Sequence, residues 1–63
     1  MINNTTTTAI ITIAELCEGH EVRGGIVTDI IPNERAGEGY LDVYVDDAWA
    51  ATLPPHYRVK VYA

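Results

Sequence analysis

Apolar and polar residues alternate most regularly between residues 40 and 46, where the sequence reads YLDVYVD. One face of this segment carries three aliphatic side chains: Leu41, Val43 and Val45. The opposite face carries two tyrosines and two aspartates: Tyr40, Asp42, Tyr44 and Asp46. A period of two indicates a half-buried β-strand. The pattern therefore predicts an aliphatic row toward the core and a tyrosine–aspartate row toward solvent.

Four further segments favour strands because β-branched and aliphatic residues dominate them. They are residues 7–13 (TTAIITI), 20–31 (HEVRGGIVTDII), 48–53 (AWAATL) and 58–62 (RVKVY). Gly24 and Gly25 predict a bulge or bend within the second segment, which would let Val22 and Val27 both point to the core. Alternation in residues 48–53 puts three side chains on one side: Trp49, Ala51 and Leu53.

Turn signals separate these strands. Residues 14–19 are predicted as a turn-like segment, or alternatively as a short helical turn in which Thr12 and Glu15 make a weak capping box. Asp46-Asp47 predicts a turn, because aspartate side chains bond to nearby backbone groups. Pro54-Pro55-His56 stops the preceding strand and predicts a tight connection with one 3-10 turn.

Short strands joined by turns at intervals of about 8–12 residues are typical of an all-β barrel or sandwich, and the short chain favours a five-stranded barrel. The chain has 63 residues, enough for one domain. We expect residues 1–6 to be a flexible N-terminal tail and residues 7–63 to form the domain. A domain of this size buries only about 60% of the surface of its unfolded chain. Cys17 is the single cysteine, so no intrachain disulfide can add stability.

Two stretches carry a resemblance to a known fold. Residues 53–61 (LPPHYRVKV) resemble the end of an SH3-like barrel, in which a 3-10 turn with proline and tyrosine precedes a short last strand. The spacing of Leu16, Gly19, Val22, Gly25 and Val27 resembles the opening of bacterial SH3-like barrels. The resemblance implies a small five-stranded SH3-like barrel with a short 3-10 turn before the last strand.

The resemblance does not extend to the peptide-binding groove of eukaryotic SH3 domains. That groove needs an ALYDY-like segment near the N-terminus, which this sequence lacks, and a tryptophan well upstream of the proline. Trp49 lies only a few residues before Pro54. The small size, the acidity and the polar N-terminus also resemble accessory proteins encoded by bacteriophages, which would imply a protein of the host cell as the partner.

Charge narrows the classes of partner. Nine acidic residues oppose four basic ones, for a formal net charge of −5. This balance argues against binding to a nucleic-acid backbone or to an anionic membrane, which both require clustered lysine and arginine. It suits a basic protein partner. No apolar run approaches the ~20 residues of a membrane span, and the lone thiol with no signal peptide predicts a cytoplasmic location.

The sequence offers little chemistry for catalysis or metal binding. Cys17, His20 and His56 lack the further ligands of a zinc site. Gly24-Gly25 is not followed by the Lys-Ser/Thr of a phosphate-binding loop. A chain this short also has little room for a deep pocket with an oriented nucleophile and base. We therefore predict no enzyme activity, no catalytic residue, no metal and no cofactor.

The outward-facing rows are the strongest functional feature, since exposed tyrosines are enriched at protein interfaces. The candidate interface combines two strands: Tyr40, Asp42, Tyr44 and Asp46 with Arg58, Lys60 and Tyr62. The hypothesis is a non-catalytic protein-interaction module. One alternative is a structural protein that homo-oligomerises through its uncharged N-terminal strand. Another is an acidic DNA mimic that inhibits a nucleic-acid-binding protein.

Overall fold

The computed structural model describes residues 7–62, which form one antiparallel sheet with the strand order β1-β6-β2-β3-β4-β5. The six strands are β1 (Thr8–Thr12), β2 (Glu21–Val22), β3 (Gly25–Pro32), β4 (Leu41–Val45), β5 (Ala48–Leu53) and β6 (Arg58–Tyr62). The all-β prediction is confirmed. The predicted N-terminal tail, residues 1–6, lies outside the described residues, as does residue 63. No helix in the described part of the chain is long and apolar enough to cross a membrane.

The prediction of five strands is wrong, because residues 20–31 form two strands rather than one bent strand. Val22 pairs with Gly25, so Arg23 and Gly24 form the two-residue turn of a hairpin between β2 and β3. Gly24 has φ +108°, a backbone conformation that is easy for glycine and strained for other residues. The chain therefore reverses at Arg23 and Gly24 instead of bending, and Gly25 begins β3.

A bulge does occur in β3, a few residues further along than predicted. Val27 pairs with Val45 while Asp29 pairs with Tyr44, which leaves Thr28 as the extra residue. Its hydroxyl accepts a hydrogen bond of 2.8 Å from the backbone N–H of Asp47. The bulge keeps Val27 in the core.

The turn predicted at Asp46 and Asp47 is confirmed. Both residues have positive φ, +50° and +66°, as in a type I′ turn. Such a turn matches the twist of two antiparallel strands, and it joins β4 directly to β5. Aspartate tolerates this conformation better than most residues other than glycine and asparagine.

The described strands do not confirm a closed barrel. β1 and β5 are the two ends of the strand order, and no ladder joins them within residues 7–62. Before β6, the backbone N–H of Tyr57 donates to the carbonyl of Pro54 at 3.1 Å, which makes a single hydrogen-bonded turn there. The 3-10 helix of the described residues lies instead after β1, at Ile13–Glu15.

That 3-10 helix contributes to the small hydrophobic core. The core consists of five buried aliphatic residues: Ile13, Leu16, Val27, Val43 and Val61. The backbone N–H of Ile13 donates to the carbonyl of Tyr57 at 2.8 Å, which attaches the helix to the turn before β6. Glu15 accepts hydrogen bonds from both the N–H and the hydroxyl of Thr12. The capping interaction considered from the sequence is therefore present.

Candidate functional site

The aliphatic row of β4 faces the core, as predicted. The tyrosine–aspartate row lies on the opposite side, but most of it is half-buried rather than fully exposed. Val43 is buried, and Leu41 and Val45 pack against the core. In the opposite row, Tyr40, Asp42 and Tyr44 are half-buried. Asp46 is exposed. The second row therefore stays out of the core while contacting its neighbours.

Tyr40 belongs to the loop before β4 rather than to the strand. Its ring lies against Gly37, where an added Cβ would come within 2.4 Å of the ring carbon Cε1. Its backbone N–H donates to the carbonyl of Gly37 at 3.2 Å, and its own carbonyl accepts from the N–H of Asn33 at 2.9 Å. The Tyr40 ring thus covers its own loop.

β4 lies between β3 and β5 in the sheet. The register aligns outward-facing side chains of these three strands in two rows that run across them. One row joins Asp29, Tyr44 and Trp49, and the next joins Ile31, Asp42 and Thr52. We call these six residues the aromatic–acidic patch. Trp49 is 58% exposed and Ile31 is 42% exposed, which are large fractions for side chains of this size.

The prediction that Trp49 shares a side with Ala51 and Leu53 is wrong. Val43 pairs with Ala51 and Tyr44 pairs with Trp49, so one extra residue of β5 interrupts the alternation. The shift turns the Trp49 ring to the outward side beside Tyr44. The sequence carries no visible signal for this bulge, so alternation alone does not place Trp49 in the predicted interface.

A chain of side-chain hydrogen bonds fixes the patch. The indole N–H of Trp49 donates to the hydroxyl of Thr52 at 3.3 Å, and that hydroxyl donates to Asp42. The side-chain amide of Asn33 donates to the same carboxylate oxygen of Asp42 at 3.1 Å. Asp42 therefore holds neighbouring groups in place, including, through Thr52, the exposed tryptophan.

These bonds also set the ionisation of Asp42. The hydroxyl of Thr52 and then the amide of Asn33 stabilise the charged form and hold the pKa of the carboxyl below its ordinary value. A lowered pKa in the folded state means that the contribution of Asp42 to stability is present above the unfolded pKa of about 3.9. It is lost as the pH falls through the lower folded value.

We expect Asp42→Asn to flatten the acid limb of the stability curve. Urea unfolding of both proteins between pH 6 and pH 2 would measure it, and the wild-type midpoint should fall more steeply below pH 4. A residual slope is expected in both, because the N–H and hydroxyl of Thr12 also lower the pKa of Glu15. Parallel acid limbs in the two proteins would contradict this role for Asp42.

The structure does not bring the predicted basic residues to the patch. Arg58, Lys60 and Tyr62 lie on β6, and β2 and β3 separate β6 from β4 in the sheet. On β6 they pair with Thr12, Ile10 and Thr8 of β1. Arg58 and Lys60 are exposed and Tyr62 is half-buried. The seven predicted residues therefore fall into two groups on different parts of the sheet.

Charge is also divided between these two parts. The strands β3, β4 and β5 and the turn between β4 and β5 contain four aspartates and no lysine or arginine. The four are Asp29, Asp42, Asp46 and Asp47. The half of the sheet that carries the aromatic–acidic patch is therefore uniformly negative.

The segment that contains Cys17 and His20 forms a local turn. Nδ1 of His20 accepts a hydrogen bond of 3.0 Å from the backbone N–H of Cys17, and the Cys17 thiol is exposed. The hydrogen bond to the imidazole thus stabilises the turn between Cys17 and His20. Among residues 7–62, no three His, Cys, Asp or Glu side chains converge as a metal site would require.

Comparison with known proteins adds no relative. No protein-family model, no curated protein and no solved structure matches the chain.

Proposed function

We propose that this chain is a non-catalytic protein-interaction module of the cytoplasm that binds a basic surface of another protein through the aromatic–acidic patch. The observation that carries the proposal is the exposure of Trp49, 58%, on a sheet face where its indole N–H is bonded to Thr52. Tryptophan and tyrosine are the residues that most often dominate the binding energy of protein interfaces.

Preorganisation supports this role. Trp49 and Tyr44 are neighbours on adjacent strands, and the Asp42 network holds the indole through Thr52. A side chain that is already fixed loses less conformational freedom when a partner covers it. The exposed aliphatic side chain of Ile31 extends the apolar area of the patch beside Asp42.

Charge supports a basic partner. The patch and its adjoining turn carry aspartates alone among their charged residues, in a chain with net charge −5. Such a field accelerates encounter with positive surfaces and opposes acidic ones. The resemblance to phage accessory proteins makes a bacterial host protein the expected source of the partner.

We also propose the SH3-like barrel as the finer description of the fold. Its support is the pairing of β1 with β6 and the division of β3, whose first residues pair with β2 and whose remainder pairs with β4. A hydrogen-bonded turn with two prolines precedes the last strand. Nuclear Overhauser contacts between the backbones of β1 and β5 in solution would establish the closed form.

Trp49→Ala should weaken binding on the order of tenfold or more, because truncation removes a central aromatic contact. Tagged wild-type and variant proteins would capture partners from a bacterial lysate, and titration of the purified partner would measure the affinity. Tyr57→Ala is the matched control, since Tyr57 is an exposed aromatic residue outside the patch. Equal loss in both variants, or no partner at any salt concentration, would contradict the proposal.

Repeating this titration in the presence of duplex DNA distinguishes two kinds of partner: a basic protein that does not use the patch-binding surface for DNA, and a DNA-binding protein that this chain inhibits as a DNA mimic. A nucleic-acid-binding partner that duplex DNA displaces from the patch would identify the DNA-mimic function. A partner that binds DNA and this chain simultaneously would exclude it.

Self-association through β1 is a second candidate function and an alternative to the closed barrel, since it uses the edge of β1 that would otherwise pair with β5; the position of β1 at the end of the strand order favours it. Within residues 7–62 no strand pairs with its other edge, and Ile10 is 58% exposed. Residues 7–13 carry no charge, so a second copy could add to this edge as an antiparallel strand.

If β1 mediates self-association, light scattering should show a concentration-dependent dimer that Ile10→Lys abolishes, because a charge on an edge strand opposes pairing. Ile26→Lys is the control, since Ile26 is also exposed but lies on an internal strand. A protein that stays monomeric at millimolar concentration would eliminate this candidate.

A further inference from the structure

Within the aromatic–acidic patch, three chemically different groups lie side by side. Ile31, Asp42 and Thr52 are opposite one another on β3, β4 and β5. The Trp49 indole reaches this row from the neighbouring one, because its N–H donates to the Thr52 hydroxyl, which in turn donates to Asp42. The Asp42 carboxylate therefore lies between an exposed aliphatic side chain and an exposed indole ring.

Each of these three groups can make a different contact with a ligand. Most of Trp49 is exposed although its N–H edge is bonded, so a face of the ring meets solvent. The hydrogen bonds from Thr52 and Asn33 both end on Oδ1 of Asp42, so Oδ2 is the oxygen that can accept from a ligand. Ile31 adds an apolar surface. The strands β3, β4 and β5 contain no lysine or arginine that could occupy this place.

We infer that the group of the partner that binds here is an arginine side chain. Its planar guanidinium stacks on the faces of aromatic rings and donates to carboxylates, and its methylene stem is apolar. A guanidinium that stacks on Trp49 and donates to Asp42 lays its stem over Ile31. A lysine ammonium fits less well, because it is a strongly hydrated point charge with no planar face. The inference rests on the proposed function, since it names the group through which the basic partner binds the patch.

Two short glycine peptides of equal charge, one with two arginines and one with two lysines, test the inference on the full chain at fixed ionic strength. Both ends of each peptide are blocked. Trp49 is the single tryptophan, so its fluorescence and its indole N–H signal in NMR report on the site directly. The arginine peptide should bind about two- to fivefold more tightly than the lysine peptide. Equal affinities, or binding that leaves the indole signal unchanged, would overturn the inference.

Trp49→Leu separates the face of the ring from its apolar bulk. In this variant the arginine peptide should bind no more tightly than the lysine peptide, as measured by the amide signals of Tyr44 and Thr52. Tyr57→Leu is the matched control and should keep the preference for arginine, since Tyr57 is an exposed aromatic residue outside the patch. A preference that survives in Trp49→Leu would overturn the stacking.

Asp42→Asn and Asp47→Asn test the carboxylate, because each removes one negative charge and Asp47 lies in the exposed turn beside the patch. Asp42→Asn should weaken binding of the arginine peptide roughly threefold more than Asp47→Asn does, since a bond to a charged acceptor is lost. Equal losses would overturn the contact with Asp42. If Asp42→Asn moves the indole signal of the unbound protein, the two peptides and Trp49→Leu decide instead.

Failure of this inference is distinguishable from failure of the proposed function. If Trp49→Ala abolishes capture of the partner while the arginine and lysine peptides bind alike, the patch is an interface and the assignment of arginine is wrong. If Trp49→Ala leaves capture unchanged and neither peptide shifts the indole signal, both are wrong.

Discussion

Replacing Ile13 with alanine should remove a large part of the free energy of unfolding. Ile13 is 1% exposed and belongs to the core. Truncating a buried isoleucine to alanine costs about 2–5 kcal/mol, since transfer energy is lost and a cavity remains. At about 0.05–0.15 kcal/mol per residue, a chain of 63 residues has a total stability of roughly 3–9 kcal/mol. One substitution thus removes a large part of the total.

Ile10→Ala is the matched control, because Ile10 is the same residue type at 58% exposure on the preceding strand. Its effect should stay within about 0.5 kcal/mol. Urea unfolding followed by circular dichroism would measure both variants. A loss from Ile13→Ala no greater than that from Ile10→Ala would mean that the 3-10 helix does not pack on the core.

Gly25→Ala is expected to have the second largest effect, because it combines backbone strain with a collision. Gly25 has φ +146°, and a Cβ at this position would lie 2.2 Å from Oδ2 of Asp46. The Asp46 side chain cannot move away freely, since its Oδ1 accepts a 3.0 Å hydrogen bond from the N–H of Ile26. We expect about 1–3 kcal/mol from strain and roughly 1–2 kcal/mol more from the displaced carboxylate.

Gly24→Ala and Asp46→Gly separate these two contributions. Gly24 also has positive φ, but an added Cβ there meets no atom within 4 Å, so only strain is expected. Asp46→Gly removes the obstructing carboxylate while tolerating the positive φ of that turn position. In that background Gly25→Ala should cost about as much as Gly24→Ala, and an unchanged cost would show that the collision is absent.

Much of the strand pattern is predictable because it depends on local alternation. The aliphatic row of β4 and the Asp46-Asp47 turn follow from a few neighbouring residues. The sequence does not distinguish a hairpin at Gly24 from a bulge, because paired glycines suit both equally well. Only the pairing of Val22 with Gly25, a property of the folded chain, distinguishes the two.

The candidate site was less predictable, because it depends on strand order and on register. Alternation correctly separates the two faces of β4 but contains no information on which strands lie beside it. Ile30 and Ile31 are adjacent and therefore face opposite sides of β3, and the folded chain places Ile30 against the core and Ile31 outward. The bulge that exposes Trp49 and the distance of β6 from β4 arise from long-range pairing, which a single sequence does not reveal.

The pairing of β1 with β6 has a mechanical consequence. Thr8 lies directly opposite Tyr62, so both strands meet at the end where the described chain begins and finishes. A force that pulls these two residues apart would act across the strands and break the interstrand hydrogen bonds one after another. It would not load them all at once, as a shearing force along the strands does. This pair of strands should therefore separate under a weaker force than the same hydrogen bonds would withstand if they were loaded together.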